Sequence, residues 1–547
     1  MIGACSVRVG VDVGGTNTDA VLMDGREVVA WTKAQTTADV SGGVASAIRT
    51  VLEDAGIAPG AISSVMIGTT HFTNALVERK HLSPVGILRL ASPSGEALPP
   101  KTGWPAGLSG SIGDHVFLLG GGYEVDGREI APLDEAGVRE AAHTLRNAGI
   151  FAIAIISAFA PVNNAMEMRA AEIVKEEFPD AVLTLSSAIG RIGLIERENA
   201  AILNAALSDL AVRIAASFEE ALRGLGIEAP LYISQNDGTL ISAAQAAAYP
   251  VMTIGSGPTN SMRGAAFLTG LTDAIVMDVG GTTTDIGVLA NGFPRESSVA
   301  VDIGGVRTNF RMPDILAIGL GGGTRIHLDE ALYEAEAIDD AALRIGPDSV
   351  GFRIVEDARL FGGDTLTASD VGVALGLARF GAPEKLPALS DAALSAIASR
   401  IRDMLEEGID RMKTARLDAT VLAVGGGAFL VPDILKGAAQ VIRPPHAPIA
   451  NAVGAAIAQV GAQIEKVLDY DATPRAEALD AMKADVAAQA VAAGGDAATV
   501  QIVEVEEIFL SYLPGRAAQV RMKAVADLAE GGDRVHADAV AGVAHAL

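Results

Sequence analysis

Cysteine is nearly absent from this chain. Cys5 is the single thiol in 547 residues. One thiol cannot build a disulfide framework, a zinc knuckle or a cysteine-ligated cluster within the chain. Basic charge is also short: 41 Lys and Arg stand against 67 Asp and Glu, for a formal charge of −26. That balance argues against non-specific binding to nucleic acid or to an anionic membrane surface, because both need a basic patch. Long apolar runs are missing too. The longest, "IFAIAIISAFAP" from Ile150, suits a buried strand and is too short to span a bilayer. The N-terminal "MIGACSVRVGVDVGG" has no basic segment followed by a long apolar core, so no signal peptide is expected. A soluble, cytoplasmic protein is the resulting expectation.

What is present is length, apolar residues and glycine. Single cores stop growing at roughly 250–300 residues, so at least two large domains are expected. Half of the residues are hydrophobic, enough for a large interior. Glycine is 61 of 547, above the average of about 7 %. It is gathered in short clusters, which suggests loops where backbone approaches a ligand closely. Strand-like and helix-like stretches alternate, which favours an α/β fold. Among them, 196–225 reads as one long helix, 428–440 as a helix after a glycine turn, and 475–493 as a helix between β-rich runs.

One string occurs twice. "VDVGGTNTDAVLMDG" (Val11–Gly25) returns as "MDVGGTTTDIGVLANG" (Met277–Gly292). A tight glycine turn between two strands lets backbone N–H groups face a phosphate without Cβ interference, and threonine hydroxyls add donors. An aspartate at the strand end suits hydrated Mg²⁺, which prefers carboxylates and water. Asp12, Gly14, Gly15, Thr16 and Thr18 therefore make one phosphate-facing hairpin. Asp278, Gly280, Gly281, Thr282 and Thr284 make the other, with Asp19 and Asp285 as secondary candidates. One copy is easily an ordinary β-hairpin. Two copies imply two lobes gripping a nucleotide between them. A third cluster, Gly425-Gly426-Gly427 in "VLAVGGGAFLVP", ends a strand in small residues against which adenosine can lie; alone it reads equally as a tight βα turn.

These residues resemble the actin, hexokinase and heat-shock-chaperone ATPase superfamily. More narrowly, the chain resembles the A subunits of the hydantoinase/oxoprolinase family. The resemblance rests on the two hairpins and on "GTTHFTNALVERK" (Gly68–Lys80), "ERENAAILNA" (Glu196–Ala205), "SGPTNSMRGAAFL" (Ser256–Leu268), "IGLGGGTRI" (Ile318–Ile326), "FGGDTLTASDVGVALG" (Phe361–Gly376) and "GGGAFLVP", in family order over roughly residues 7 to 465. It implies two actin-like (ribonuclease H-like) lobes around an ATP cleft, residues 1–190 and 191–465, with a small C-terminal α/β appendage, 466–547. It implies ATP and Mg²⁺ as cofactors, with Asp12 and Asp278 holding the metal. The activity implied is phosphorylation of the carbonyl oxygen of a cyclic amide (a hydantoin, 5-oxoproline or a lactam) so that water can open the ring. A separate B-type subunit is the expected partner, in a hetero-oligomer.

Within the matched segments, His71 is a candidate acid/base and substrate contact, with a backbone-bonded loop histidine as the alternative. Asn74 is a candidate substrate contact. Arg197 would neutralise phosphate charge, unless it forms a helix-surface salt bridge with Glu196 or Glu198. Gly321, Gly322 and Gly323 form another phosphate-sized loop. Thr367–Asp370 reads as a helix capping box. Two rival functions remain open at this point: a small-molecule kinase of the same superfamily, and a non-catalytic ATP-gated regulator or filament protein.

Overall fold

The computed structural model describes residues 7–36, 40–297, 301–309, 312–510 and 515–529. Cys5 lies outside them. The first lobe begins with three antiparallel strands, β1 (Val7–Val13), β2 (Asn17–Asp24) and β3 (Glu27–Gln35). β4 (Ile62–Thr69) lies parallel to β1 on its other side, and β5 (Leu231–Ser234) parallel to β4. β6 (Leu240–Ser242) turns back against β5. Between β4 and β5 the chain inserts a second, four-stranded parallel sheet, formed by Val85–Ser92, Val116–Gly120, Ala152–Ser157 and Val182–Leu185.

The second lobe repeats the order. β7 (Ala274–Val279) and β8 (Thr284–Ala290) are antiparallel. Asn291 and Gly292 both take positive φ, 53° and 80°, and turn β8 into the short strand Phe293–Pro294. This is the hairpin that the Asn-Gly pair encodes. β9 (Ala419–Val424) lies parallel to β7, and β10 (Ala438–Ile442) parallel to β9. Three antiparallel strands followed by two parallel ones, twice over, is the ribonuclease H-like strand order of an actin-like fold.

Each sheet is buried by helices whose apolar residues recur at three- and four-residue spacing. The helix Asp391–Met412 covers the second sheet with Ala393, Ile397, Ile401, Leu405, Ile409 and Met412. It starts where the Ser390 hydroxyl accepts the Ala393 N–H, and it carries Arg411 in its last turn, where the helix dipole favours a cation. Each of its fully buried isoleucines and leucines contributes about 1.5–3 kcal/mol. An aspartate at Ile401 would undo that side of the core.

α1 (Leu194–Gly224) is the long helix of the sequence reading. By length and composition it would cross a membrane, but here its N-terminal half is core, with Ala200 to Ser208 all buried. α2 (Ser256–Thr269) and α3 (Ala450–Ala456) cross between the lobes. The C-terminal segment is not a separate body. Its strands β11 (Val460–Asp469), β12 (Gln501–Phe509) and β13 (Ala517–Ala526) extend the first lobe's sheet, β11 joining β6 at Leu240–Val460 and β13 lying between β11 and β12. The helix Arg475–Ala492 packs on their apolar face.

One expected element fails. Residues 428–440 hold a single 3-10 turn, Ala428–Leu430, and then strand β10. Pro432 removes a backbone donor, Gly437 takes φ +87°, and the Arg443 guanidinium occupies the carbonyls of Ala428 and Val431 that a helix would need.

Candidate functional site

The two repeated hairpins meet tip to tip. Asp12 pairs in register with Asp19 across β1 and β2, and Asp278 with Asp285 across β7 and β8. In each turn the first glycine is held by the same bond: Gly14 N–H to Asn17 O at 3.0 Å, and Gly280 N–H to Thr283 O at 2.9 Å. A Cβ on Gly281 would stand 3.1 Å from Thr16 Oγ1, whereas one on Gly15 would meet nothing. The turns therefore face each other with Gly15 open to the cleft.

The acids behind the tips, Asp12 and Asp19 buried and Asp278 and Asp285 half-buried, repel one another. Asp12 is only 4 % exposed. Burial first, then the Asp19 carboxylate, push its pKa up to about 6, with a smaller push from Asp278. Burial, reinforced by Asp278, pushes Asp285 to about 7. Asp19 is raised by burial against the pull of Lys33, whose ammonium lies 2.6 Å away. Asp278 is raised by burial, opposed by a hydrogen bond from Ser261 Oγ. Among the described residues, no three His, Cys, Asp or Glu side chains converge on a metal position. Two hard carboxylates at the strand ends behind the facing turns nevertheless suit Mg²⁺, which prefers carboxylates and water. Asp12 and Asp278 fit that ion, whose positive charge would relieve their repulsion.

The crossing helices fix these carboxylates. Asn260 on α2 donates to Asp12 Oδ1 at 3.3 Å, and Asn451 on α3 donates to Asp12 Oδ2 at 3.0 Å and to Asp19 Oδ2 at 2.9 Å. Ser261, next along α2, serves Asp278, so one helix turn addresses both lobes. Sequence reasoning did not single out Asn260, Ser261 or Asn451. A signal was present: "NSMRGAA" and "NAVGAA" form a second, shorter repeat, each with an asparagine a turn ahead of a glycine.

The glycine turn after β9 lies beside the tip of the second hairpin, against Asp278, Val279 and Gly280. Gly425 takes φ +86°, and a Cβ there would stand 2.2 Å from Asp278 Oδ1. Gly425 and Gly426 line a cavity of about 670 Å³ with Gly372, Phe429, Pro448 and Arg402. Gly427 is turned away, donating its N–H to Val279 O at 2.7 Å.

Several expected contacts resolve differently. The N–H groups of Gly322 and Gly323 go to Gly280 O and Gly281 O, at 2.9 and 2.7 Å, and Gly321 N–H goes to Thr324 Oγ1. Residues 321–323 thus brace the second hairpin from behind and have no donor left for phosphate. Thr284 Oγ1 donates to Leu320 O at 2.6 Å, and Thr18 Oγ1 lies 3.2 Å from Thr36 Oγ1, so both hydroxyls anchor the turns. Arg197 is completely buried. Its guanidinium is spent on Ser186 Oγ and on the carbonyls of Ser157, Arg191 and Ile192. Burial lowers its pKa to about 10. It organises the loop entering α1 and does not face the cleft between the two hairpins. His71 is not in a loop but opens the helix His71–Glu78, two residues past the end of β4, where Thr70 reaches Val13 O. Its Nδ1 pairs with Thr69 Oγ1, and burial lowers its pKa. Asn74, on the same helix, is exposed. Thr367 and Asp370 form the expected capping box.

Residues 8–178 match the family model for the hydantoinase/oxoprolinase N-terminal region, and residues 197–387 match that for hydantoinase/oxoprolinase. The caprolactamase subunit alpha of Pseudomonas jessenii is 27 % identical over 443 residues, covering 77 % of this chain and 62 % of that subunit. The acetophenone carboxylase gamma subunit of Aromatoleum aromaticum is 26 % identical over 400 residues, covering 67 % of this chain and 53 % of the relative. The chain thus spans between about half and three fifths of the length of these curated relatives. The crystal structure of the ATP-dependent caprolactamase from Pseudomonas jessenii superposes with a TM-score of 0.73 at 21 % identity, over 95 % of this chain and 88 % of that one.

Proposed function

The chain belongs to the hydantoinase/oxoprolinase family, and from that footing we propose that it phosphorylates the carbonyl oxygen of a cyclic amide with ATP, so that the ring can be opened. The observation carrying this reading is the pairing of Asp12 and Asp278 behind touching glycine turns, beside a cavity sized for a nucleoside at Gly425–Gly426. An amide oxygen is a poor leaving group. Its attack on the γ-phosphorus releases ADP and leaves an O-phosphorylated imidate. Water then adds to the carbon, the C–N bond of the adduct breaks as the ring nitrogen takes a proton, and a second water hydrolyses the resulting acyl phosphate to carboxylate and phosphate.

Phosphoryl transfer asks mainly for positioning and charge neutralisation. The open amides at Gly15, Thr16, Gly281 and Thr282 would hold the phosphate oxygens. Asp12 and Asp278 would hold Mg²⁺, which would supply charge neutralisation to the phosphates. Asn260, Asn451 and Ser261 keep both carboxylates in one orientation and limit their protonation. His71 and Asn74, beside the first hairpin, are the nearest candidates for the substrate side. The relatives are named as subunits, and by analogy a separate B-type subunit would complete the hydrolytic step in a hetero-oligomer.

A second reading has support of nearly equal weight, because a carboxylase subunit is 26 % identical where the caprolactamase subunit is 27 %. In it, the same cleft phosphorylates the enol oxygen of a ketone. Phosphate release from ATP, measured with lactams and hydantoins in one series and with aryl and alkyl ketones plus bicarbonate in another, separates the two. Stimulation by ketones alone would reject the cyclic-amide reading. Stimulation by neither, with and without a co-expressed partner, would reject both.

A further inference from the structure

The two lobes repeat their strands but not their charges. In the first lobe, register places Asp12, Asp19 and Lys33 in one row across β1, β2 and β3. In the second, the corresponding row is Asp278, Asp285 and Ala317, across β7, β8 and the strand Ile315–Ile318. Alanine thus stands where the first lobe has a lysine. Among the described residues, Lys33 is the one cation whose charge acts on any of these four acids, and it acts on both Asp19 and Asp278.

The ion pair with Asp19 does not use up the ammonium. Lys33 Nζ lies 2.6 Å from each oxygen of Asp19. An ammonium carries three N–H donors, and a single carboxylate held this way engages two of them. Asp19 also accepts from Asn451 and is sealed, with 2 % of its side chain exposed, whereas the Lys33 side chain keeps 25 %. The acid is therefore an anchor behind the lysine, and the open side of the ammonium faces away from it.

Position identifies what that open side meets. Alternate residues of a strand share a face, so Lys33 lies on the same face of β3 as Gln35. The Gln35 amide donates to Phe352 O of the second lobe at 2.9 Å, which turns this face toward the cleft. A Cβ on Gly426 would stand 4.0 Å from Lys33 Cε. Lys33 thus reaches from the first sheet to the glycine turn that lines the cavity of about 670 Å³. A nucleotide whose nucleoside lies at Gly425–Gly426 and whose terminal phosphate lies at Gly15 and Thr16 runs its phosphate chain past this side chain. We propose that Lys33 is a phosphate-binding residue: Asp19 anchors it, and its ammonium meets the phosphate chain between the glycine turn and the hairpin tips. This role rests on the ATP reading of the cleft. Four carboxylates repel a polyphosphate; a divalent cation at Asp12 and Asp278 offsets two of those charges, and Lys33 offsets a third.

The test is calorimetric titration with ADP and Mg²⁺ of four proteins: the natural chain, Lys33→Met, Asp19→Asn and the double variant. Thermal unfolding of each shows that it is folded. Lys33→Met keeps the length of the stem and removes the charge. It should weaken ADP at least tenfold. Asp19→Asn removes the need for a counterion, so in that background a lysine that only neutralises Asp19 would be dispensable. Lys33→Met should still weaken ADP there at least fivefold. Unchanged ADP affinity in Lys33→Met overturns the proposal, as does equal affinity of Asp19→Asn and the double variant. Failure of the natural chain to bind ADP rejects the ATP reading itself and this role with it, whereas the other two outcomes leave that reading standing.

Discussion

Gly264 and Gly454 lie against each other with no room for a side chain on either. A Cβ on Gly264 would stand 1.8 Å from Ala450 O and 3.0 Å from Gly454 N; one on Gly454 would stand 1.8 Å from Asn260 O and 2.9 Å from Gly264 N. The contact is reciprocal and backbone to backbone, at the point where the two lobes join. It also sets the positions of Asn260 and Asn451, the two side chains that hold Asp12.

Alanine at either position must part the helices. Gly264→Ala and Gly454→Ala should each lower stability by about 3 kcal/mol, the upper end for overpacking. They should also reduce ATP turnover in the protein that remains folded, because the asparagines move with their helices. Thermal unfolding and turnover per folded molecule check both. A neutral Gly454→Ala would contradict the close crossing.

Asp12→Asn and Asp278→Asn should each reduce ATP turnover by a factor on the order of 10² or more, as expected for loss of a charge-stabilising group. Neither should lower the unfolding temperature, since Asp12 is buried and Asp278 half-buried, each beside carboxylates of like charge. The distinguishing readout is ligand stabilisation. Mg²⁺ with a non-hydrolysable ATP analogue should raise the unfolding temperature of the natural chain and not that of the variants.

Arg197→Ala should behave as a structural lesion. It leaves the Ser157, Arg191 and Ile192 carbonyls short of a donor in a fully buried place, at about 1–3 kcal/mol for each unsatisfied group. KM for ATP in the folded fraction should stay within about twofold, because the guanidinium does not reach the cleft. A rise in KM without loss of stability would restore Arg197 to the phosphate site.

Asp237 and Lys523 predict a pH signature. Burial works to raise the Asp237 carboxyl, but the Lys523 ammonium at 2.7 Å outweighs it and holds the group below its ordinary 3.8. A carboxyl with a depressed folded pKa contributes stability above its unfolded pKa and loses it as pH falls through the folded value. Asp237→Asn should therefore be less stable than the natural chain by about 3 kcal/mol at pH 7, with an unchanged gap down to about pH 5. Below pH 3.8 the gap should begin to narrow, by at most about 1.4 kcal/mol per pH unit. Denaturant unfolding between pH 3 and 8 measures it.

The parts of this site that were legible in the sequence are those whose chemistry is local. Asp-x-Gly-Gly-Thr between two strands dictates its own turn, and a repeat of it announces a second lobe. The capping box at Thr367 and the Asn291-Gly292 turn were legible for the same reason. Contacts made across the chain were not. Nothing near Arg197 says that one of its partners is the Ser157 carbonyl, at the end of a strand forty residues earlier. The glycines at 321–323 have the composition of a phosphate loop, but their N–H groups are claimed by carbonyls of the second hairpin. Asn260 and Asn451 gain their roles only because two helices 190 residues apart cross at a glycine pair. Residues 428–440 carried helical spacing, yet Pro432 and Gly437 broke it.

The first lobe is assembled from both extremes of the described chain. The Ala452 carbonyl sits 2.3 Å from where a Cβ on Gly10 would be, and β13 lies in the same sheet as β1. During synthesis, β1 to β4 leave the ribosome first and must wait for α3 and β11 to β13 before their sheet face and its extension are complete. The intervening second lobe, by contrast, draws its own sheet from 274–442 alone and can close as soon as that stretch has emerged. Folding order is thus expected to run against chain order, with the lobe that starts first finishing last. Such long-range closure is slow and exposes apolar strands meanwhile, so truncation anywhere before β13 should show itself as aggregation of the N-terminal lobe.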